Sequence, residues 1–304
     1  MPDDPAAPAD LAALDPRITT GVVHANDVEV HYLEAGTGPL ALLLHGFPDT
    51  ARTWRHLLPA LAGAGYHAVA PWLRGYAPSS VPADGRYQRG VIAQDACALH
   101  DALGDGSSAV LIGHDWGALA GYTATAWQPD RWSSLVALAL PPMSSLLAGF
   151  MSYTQLRRSW YMFFFQSPMA DAAVPADDLA FIDGLWADWS PGYDASDDLP
   201  AVKDALRAPE NLTAALGYYR ATLGDGYNDP ALAEADNAGF LPTPVRTLYL
   251  HGADDGCMGV EMVTDLSPHL PVEGSRVEIV PGTGHFLQLE DPATVNGLIL
   301  DFLS

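Results

Sequence analysis

The chain has 304 residues, 49% of them hydrophobic and 17% charged, a globular balance with length for one large domain or a core plus an insertion. Its formal net charge of −23, with Lys203 as the only lysine, gives a surface that repels nucleic acid and anionic membranes and so disfavours both as partners. Cys97 and Cys257, the only cysteines, are too few for a disulfide scaffold and lack metal-ligand spacing, and no apolar run approaches membrane-spanning length.

The opening "MPDDPAAPADLAALDPR" is acidic and rich in Pro and Ala, without the basic and apolar regions of a signal peptide. It predicts a loose arm over residues 1–19 and a cytoplasmic protein. "VEVHYLEAG" alternates like a strand, and "LALLLHG" is a continuous apolar run ending in glycine, as a buried parallel strand would be. "ARTWRHLLPALAGAGY" has helical spacing interrupted by Pro59; "HAVAPW" reads as a strand, "GVIAQDACALHDAL" as a helix and "SAVLIG" as a strand. A helix from Trp116 and a strand at "SSLVALAL" follow. Strands alternating with helices predict a mostly parallel α/β sheet covered on both faces.

At Pro141-Pro142 the alternation stops. Residues 144–240 read as helical segments rich in aromatics, after which "VRTLYLHG", a helix near "GVEMVTDL", "RVEIV" and a last helix from about Phe286 resume the pattern. The chain therefore divides into a first core half (20–143), a helical insertion (144–240) and a second core half (241–304). In open parallel sheets, ligands sit beyond the carboxyl ends of the strands. Those ends carry "HGFPD" after "LALLL", "GHDWG" with Asp115 after "SAVLI", "HGADDGCMG" with Asp254 and Asp255 after "VRTLYL", and "PGTGHF" with His285 after "RVEIV". Singly, each has an ordinary reading. An aspartate after a strand usually caps a turn, and His45 and His114 read as residues that shape their loops. The order nucleophile, acid, histidine on successive strand ends is much harder to reach by accident, and it matches the triad order of α/β-hydrolases.

From about Thr20 onward the chain resembles aspartate-nucleophile α/β-hydrolases, most closely the soluble epoxide hydrolases. "HGFPD" is similar to their His-Gly-x-Pro motif and "GHDWG" to their nucleophile elbow; "YMFFFQSP" and "GYYR" resemble two motifs of their helical cap. The resemblance implies a catalytic set of Asp115, Asp255 and His285, with Asp254 as the neighbouring alternative acid. It places the proton-donating cap tyrosines at Tyr161 and Tyr219, and implies a cis Phe47–Pro48 bond. Backbone N–H groups of Phe47 and Trp116 are the expected oxyanion donors. The aromatic cap, with Phe47, Trp116 and Phe286, suggests a pocket for an apolar aryl or alkyl epoxide, with water as co-substrate. Tyr153, Tyr193 and Tyr218 read as packing residues. No cofactor and no metal are expected, and homo-oligomerisation stays open. Trp72, where these enzymes commonly have aspartate, and Tyr218, where tryptophan is frequent, depart from the pattern outside the catalytic set.

A carboxylate in a slot usually built for serine attacks an sp³ carbon and forms an alkyl ester, which water must then hydrolyse. Haloalkane dehalogenases share this engine but need N–H donors for the halide, and a fluoroacetate dehalogenase wants an arginine where this chain has Trp116. A non-catalytic ligand-binding relative is the alternative from another class.

Overall fold

The structure, a computed structural model, describes residues 14–263 and 265–304; most of the expected N-terminal arm lies outside them. Eight strands form one sheet: β1 (Thr19–Ala25), β2 (Val28–Ala35), β3 (Leu40–Leu44), β4 (His67–Pro71), β5 (Ala109–His114), β6 (Trp132–Leu138), β7 (Arg246–Gly252) and β8 (Arg276–Val280). Their spatial order is β1-β2-β4-β3-β5-β6-β7-β8. β1 and β2 are antiparallel to their neighbours, whereas β4 to β8 run parallel. Every residue of β3 and β5 is buried, which is why both read as unbroken apolar runs: helices cover the two faces of a parallel sheet.

The core helices in the first half are α1 (Leu58–Gly63), α2 (Arg89–Leu103) and α3 (Trp116–Trp127). Pro59 lies in the first turn of α1, where its missing N–H has no intrahelical partner to lose; the sequence before it forms a short 3-10 turn at Ala51–Trp54.

Between β6 and β7 the described residues form helices and no strand. These are α4 (Met143–Phe150), α5 (Tyr153–Arg158), α6 (Trp160–Phe164), α7 (Ala170–Ala173), α8 (Ala176–Trp189), α9 (Leu199–Leu206), α10 (Pro209–Leu223) and α11 (Ala233–Ala238). α8 opens with three left-handed residues, Asp177 to Leu179, and α11 packs on α2 and α3 of the core. α12 (Leu287–Glu290) and α13 (Pro292–Leu303) end the chain.

Two elements differ from the sequence reading. β1 is an additional strand: its outward half is exposed and carries two threonines and Gly21, so it lacks an apolar pattern to read. The helix expected near "GVEMVTDL" is replaced by 3-10 turns at Val260–Met262 and Ser267–His269, with Pro268 and Pro271 interrupting any longer helix.

The register brings the site together. Leu44 pairs with Gly113, His114 with Leu138, Leu138 with Leu250, and Gly252 with Val280. The loops after β3, β5, β6, β7 and β8 therefore leave one edge of the sheet side by side. The chain's order reverses between β3 and β5, the switch point where open α/β sheets form their ligand crevice.

Candidate active site

Asp115 stands between β5 and α3 with φ 52° and ψ −115°, a sparsely populated conformation that costs on the order of 1–3 kcal/mol and persists only where the surroundings impose it. Gly117 makes the bend fit: a Cβ there would meet the Leu44 carbonyl oxygen at 2.1 Å. The elbow thus pushes α3 directly against β3 and aims the Asp115 carboxylate out of the sheet edge. The Phe47 N–H donates to Asp115 Oδ1 at 2.8 Å, from a loop whose Phe47–Pro48 bond is cis.

His285 faces the other oxygen, with Nε2 3.8 Å from Asp115 Oδ2. Its Nδ1 donates to Asp255 Oδ2 at 3.0 Å. Asp255 Oδ1 accepts the N–H groups of Cys257 (2.7 Å) and Met258 (2.8 Å). Asp254 is exposed, and its backbone N–H donates to the Thr283 carbonyl. Geometry therefore selects Asp255 as the partner of His285. Burial pushes the Asp115 carboxyl above its ordinary range, opposed by His285 and by the backbone N–H groups of Phe47 and Trp116. Burial pulls the His285 imidazole down, but Asp255, and then Asp115 and Glu290, outweigh it and raise it overall.

An apolar cavity of about 110 Å³ opens above Asp115. Its walls include Trp116, Leu119, Leu140, Met143 and Leu146, and Tyr161 and Tyr219 also line it. Burial raises both phenols well above the usual tyrosine range, so both keep their protons at neutral pH. The Tyr161 hydroxyl lies 3.3 Å from Cys257 Sγ. The Tyr219 hydroxyl is buried and has no hydrogen-bond partner within reach among the described residues; the Trp116 side chain nearby lowers it against the larger rise from burial. Tyr218, one residue earlier on α10, instead turns into the core and donates to the Arg74 carbonyl at 2.9 Å.

Phe47 and Phe286 correct the pocket expected from the sequence, because neither lines the cavity. The Phe286 ring stacks on Trp186 at 3.7 Å behind the histidine loop. The Phe47 ring packs edge-on against Phe165 and Tyr219, so its backbone, rather than its ring, faces Asp115. His45 and His114 hold loops. His45 Nδ1 donates to the Gly46 carbonyl while Nε2 accepts from the Leu73 N–H, and His114 Nε2 donates to the His285 carbonyl.

Other contributors carry no signal in the sequence. The Trp189 carbonyl at the end of α8 accepts from both Gly256 and His285 N–H groups at 3.0 Å, and so ties the acid loop to the histidine loop. Ser190 Oγ donates to Glu290 and accepts the Phe286 N–H. Cys257 and Met258 enter the cavity wall because the Asp255 turn swings them there. Asp255, Cys257 and His285 bring potential metal-ligand atoms within 4.8 Å of one another, yet the carboxylate oxygens are already occupied by N–H donors, so this cluster is accounted for by hydrogen bonding. No helix among the described residues is long and apolar enough to cross a membrane.

Residues 39–292 match the family model described as the alpha/beta hydrolase fold. The chain is 33% identical over 309 residues to an epoxide hydrolase of Caballeronia sordidicola, covering 93% of this chain and 88% of that protein. It is also 33% identical to epoxide hydrolase A of Mycobacterium tuberculosis, covering 94% and 97% respectively. Among solved structures, an epoxide hydrolase of Bacillus megaterium in complex with an inhibitor is similar, with a TM-score of 0.79, 27% identity, and coverage of 93% of this chain and 99% of that one. With its strand order, its elbow and these relatives taken together, the chain belongs to the α/β-hydrolase family, in the branch that contains the epoxide hydrolases.

Proposed function

We propose that the protein hydrolyses apolar epoxides to vicinal diols through an ester on Asp115. One arrangement carries this reading: a carboxylate held by a backbone N–H on one oxygen and faced by His285 on the other, at the base of an apolar cavity that two buried phenols also line. Asp115 Oδ2 attacks an epoxide carbon, the ring C–O bond breaks, and its electron pair stays on the departing oxygen. That oxygen is too basic to leave as a free alkoxide, so it takes a proton from the Tyr161–Tyr219 pair, supplied by the helices inserted between β6 and β7 acting as a cap.

His285 Nε2 then removes a proton from water, which attacks the ester carbonyl of Asp115. Negative charge develops on Oδ1, which accepts the Phe47 N–H; the Trp116 N–H, which also holds the Asp115 carboxyl down, serves as the second donor, and a single donor of this kind is typically worth about 10²–10³ in rate. Asp255 orients His285 and stabilises the imidazolium. Collapse breaks the ester bond to Oδ2 while the His285 imidazolium returns its proton to the departing oxygen; the second proton of the attacking water passes back to the phenolate, and the diol leaves Asp115 as a carboxylate with one oxygen from water. Tyrosine O–H groups suit an alkoxide, whereas a departing halide needs no proton. For that reason the phenol pair favours an epoxide over a haloalkane as substrate.

The test is His285→Gln incubated with styrene oxide. Intact-mass spectrometry should show an adduct equal to the epoxide, mapping to the peptide with Asp115, while diol formation stops. In wild type, a single turnover in heavy-oxygen water should yield a diol whose new oxygen is unlabelled. A fully labelled diol, or bromoalkane turnover far above epoxide turnover, would overturn the proposal.

A further inference from the structure

The two cavity phenols have different surroundings. Among the described residues the Tyr219 hydroxyl has no hydrogen-bond partner within reach, with the Trp116 side chain nearby, whereas the Tyr161 oxygen sits 3.3 Å from Cys257 Sγ. The thiol is held on a fixed backbone. The Cys257 N–H donates to Asp255 Oδ1, and its carbonyl accepts from Gln155 Nε2 at 2.8 Å. Gln155 is fully buried; it also donates to Ser159 Oγ at 2.9 Å and accepts the Gly259 N–H at 3.1 Å. One glutamine therefore fastens the acid loop to the helical turn that carries Tyr161.

We propose that Cys257 is a positioning residue for Tyr161: its S–H points at the phenol oxygen, directs the phenol proton into the cavity, and stabilises the phenolate left after proton transfer. This inference rests on the epoxide hydrolase reading. In the opposite arrangement, with Tyr161 donating to sulfur, the phenol proton would face away from substrate and be lost to a weak acceptor. An ordinary thiol, with a pKa of about 8.5, is more acidic than a phenol at about 10, so the S–H···O contact strengthens as charge grows on the phenol oxygen. During alkylation the Tyr161 O–H bond breaks and an O–H bond forms on the former epoxide oxygen. The electron pair left on the phenolate accepts the thiol's hydrogen bond, and the more acidic thiol shares its proton with that oxygen, so the negative charge is spread over oxygen and sulfur. Burial raises both groups, with neighbouring Asp255 adding to the rise at Cys257, so both are protonated in the resting enzyme. Tyr161 is then the phenol that gives up its proton, and Tyr219 the one that binds the oxygen while keeping its own.

The experiment is single-turnover alkylation by styrene oxide of Cys257→Ala and Cys257→Ser, each in wild-type, Tyr161→Phe and Tyr219→Phe backgrounds. A hydrogen bond to a developing charge predicts that Cys257→Ala slows alkylation about 5- to 10-fold in wild type and in Tyr219→Phe. In Tyr161→Phe the effect should fall below about 2-fold, and Cys257→Ser, which retains a donor, should stay within about 3-fold of wild type. An equal loss in the Tyr161→Phe background would show that Cys257 only packs, and no loss in Tyr219→Phe would overturn the inference directly. If epoxides fail to alkylate wild type at all, the epoxide reading falls and this inference with it. If alkylation depends on Tyr161 but ignores Cys257, this inference alone fails.

Discussion

Replacing Asp255 with asparagine tests the assignment of the acid, because the geometry restricts how the new amide can sit. Asp255 Oδ1 accepts two N–H groups, and Oδ2 accepts His285 Nδ1–H, in a site closed to solvent. If the amide oxygen keeps the two backbone donors, its NH₂ faces His285 and forces Nδ1 to become an acceptor. The imidazole proton then moves to Nε2, the atom that must take a proton from water. The reverse orientation turns NH₂ toward two backbone N–H groups and leaves both buried and unsatisfied, at about 1–3 kcal/mol each. The first arrangement therefore wins, and the base is held in the wrong tautomer. Loss of a triad base through its tautomer is worth about 10⁴ in rate. Ester hydrolysis by Asp255→Asn should fall by about that factor, while alkylation, which does not use His285 as base, should change little. Asp254 is exposed, so Asp254→Asn should leave both steps within about 2-fold. Stopped-flow tryptophan fluorescence separates the two phases, since Trp116 follows Asp115 and the Trp189 ring lies 5.1 Å from that of His285. Near-normal ester hydrolysis in Asp255→Asn, or equal impairment in Asp254→Asn, would refute the reasoning.

In the proposed mechanism alkylation uses ionised Asp115, which burial raises, so its rate should fall on acidification at a pH above the ordinary aspartate value of about 3.9. Ester hydrolysis in the same mechanism uses neutral His285. Its pKa is lowered by burial but raised further by Asp255 and Asp115, and esterification removes the Asp115 charge; the pH–rate limb for hydrolysis should therefore lie below the His285 pKa measured by NMR in the free enzyme. Asp95→Ala removes the carboxylate that accepts two donors of the buried Arg74 guanidinium, leaving it the Arg86 carbonyl and, at 3.9 Å, Asp84, and urea unfolding should show a loss of about 3–5 kcal/mol; a loss under ~1 kcal/mol would contradict the pairing argument. Gly117→Ala drives a methyl into the Leu44 and His45 carbonyl oxygens and should cost at least about 1–3 kcal/mol along with epoxide turnover. By contrast Gly63→Ala, at the end of α1 with open space around it, should be neutral or slightly stabilising by the same unfolding assay.

Much of the layout was legible because one-dimensional pattern and three-dimensional burial coincide there. β3 and β5 are buried on both faces, so their residues had to be continuously apolar. The Gly-His-Asp-Trp-Gly turn reads directly because both its glycines are needed for the close approach: a Cβ at Gly117 would meet the Leu44 carbonyl oxygen of β3 at 2.1 Å, and one at Gly113 the Gly117 carbonyl oxygen at 2.2 Å. Successive strand ends could be assigned to one sheet edge before any contact was known, since parallel crossovers return each strand in the same direction. β1 escaped because an exposed antiparallel edge needs hydrogen bonds more than apolar side chains.

Tertiary structure decided the rest. Asp254 and Asp255 are adjacent and chemically identical, and only the fold shows one exposed and the other against His285 Nδ1. Phe286 looks like a pocket residue beside the histidine until Trp186, a hundred positions earlier, is seen stacked on it. Cys257 appears as an unremarked thiol until the Asp255 turn and Gln155 bring it to Tyr161, 96 positions away. The sequence by itself determined which groups stand on the sheet edge, because strand periodicity and glycine placement are local. Which side chains face one another across that edge depends on contacts between segments about a hundred residues apart, and these exist only once the inserted helices have packed on the core.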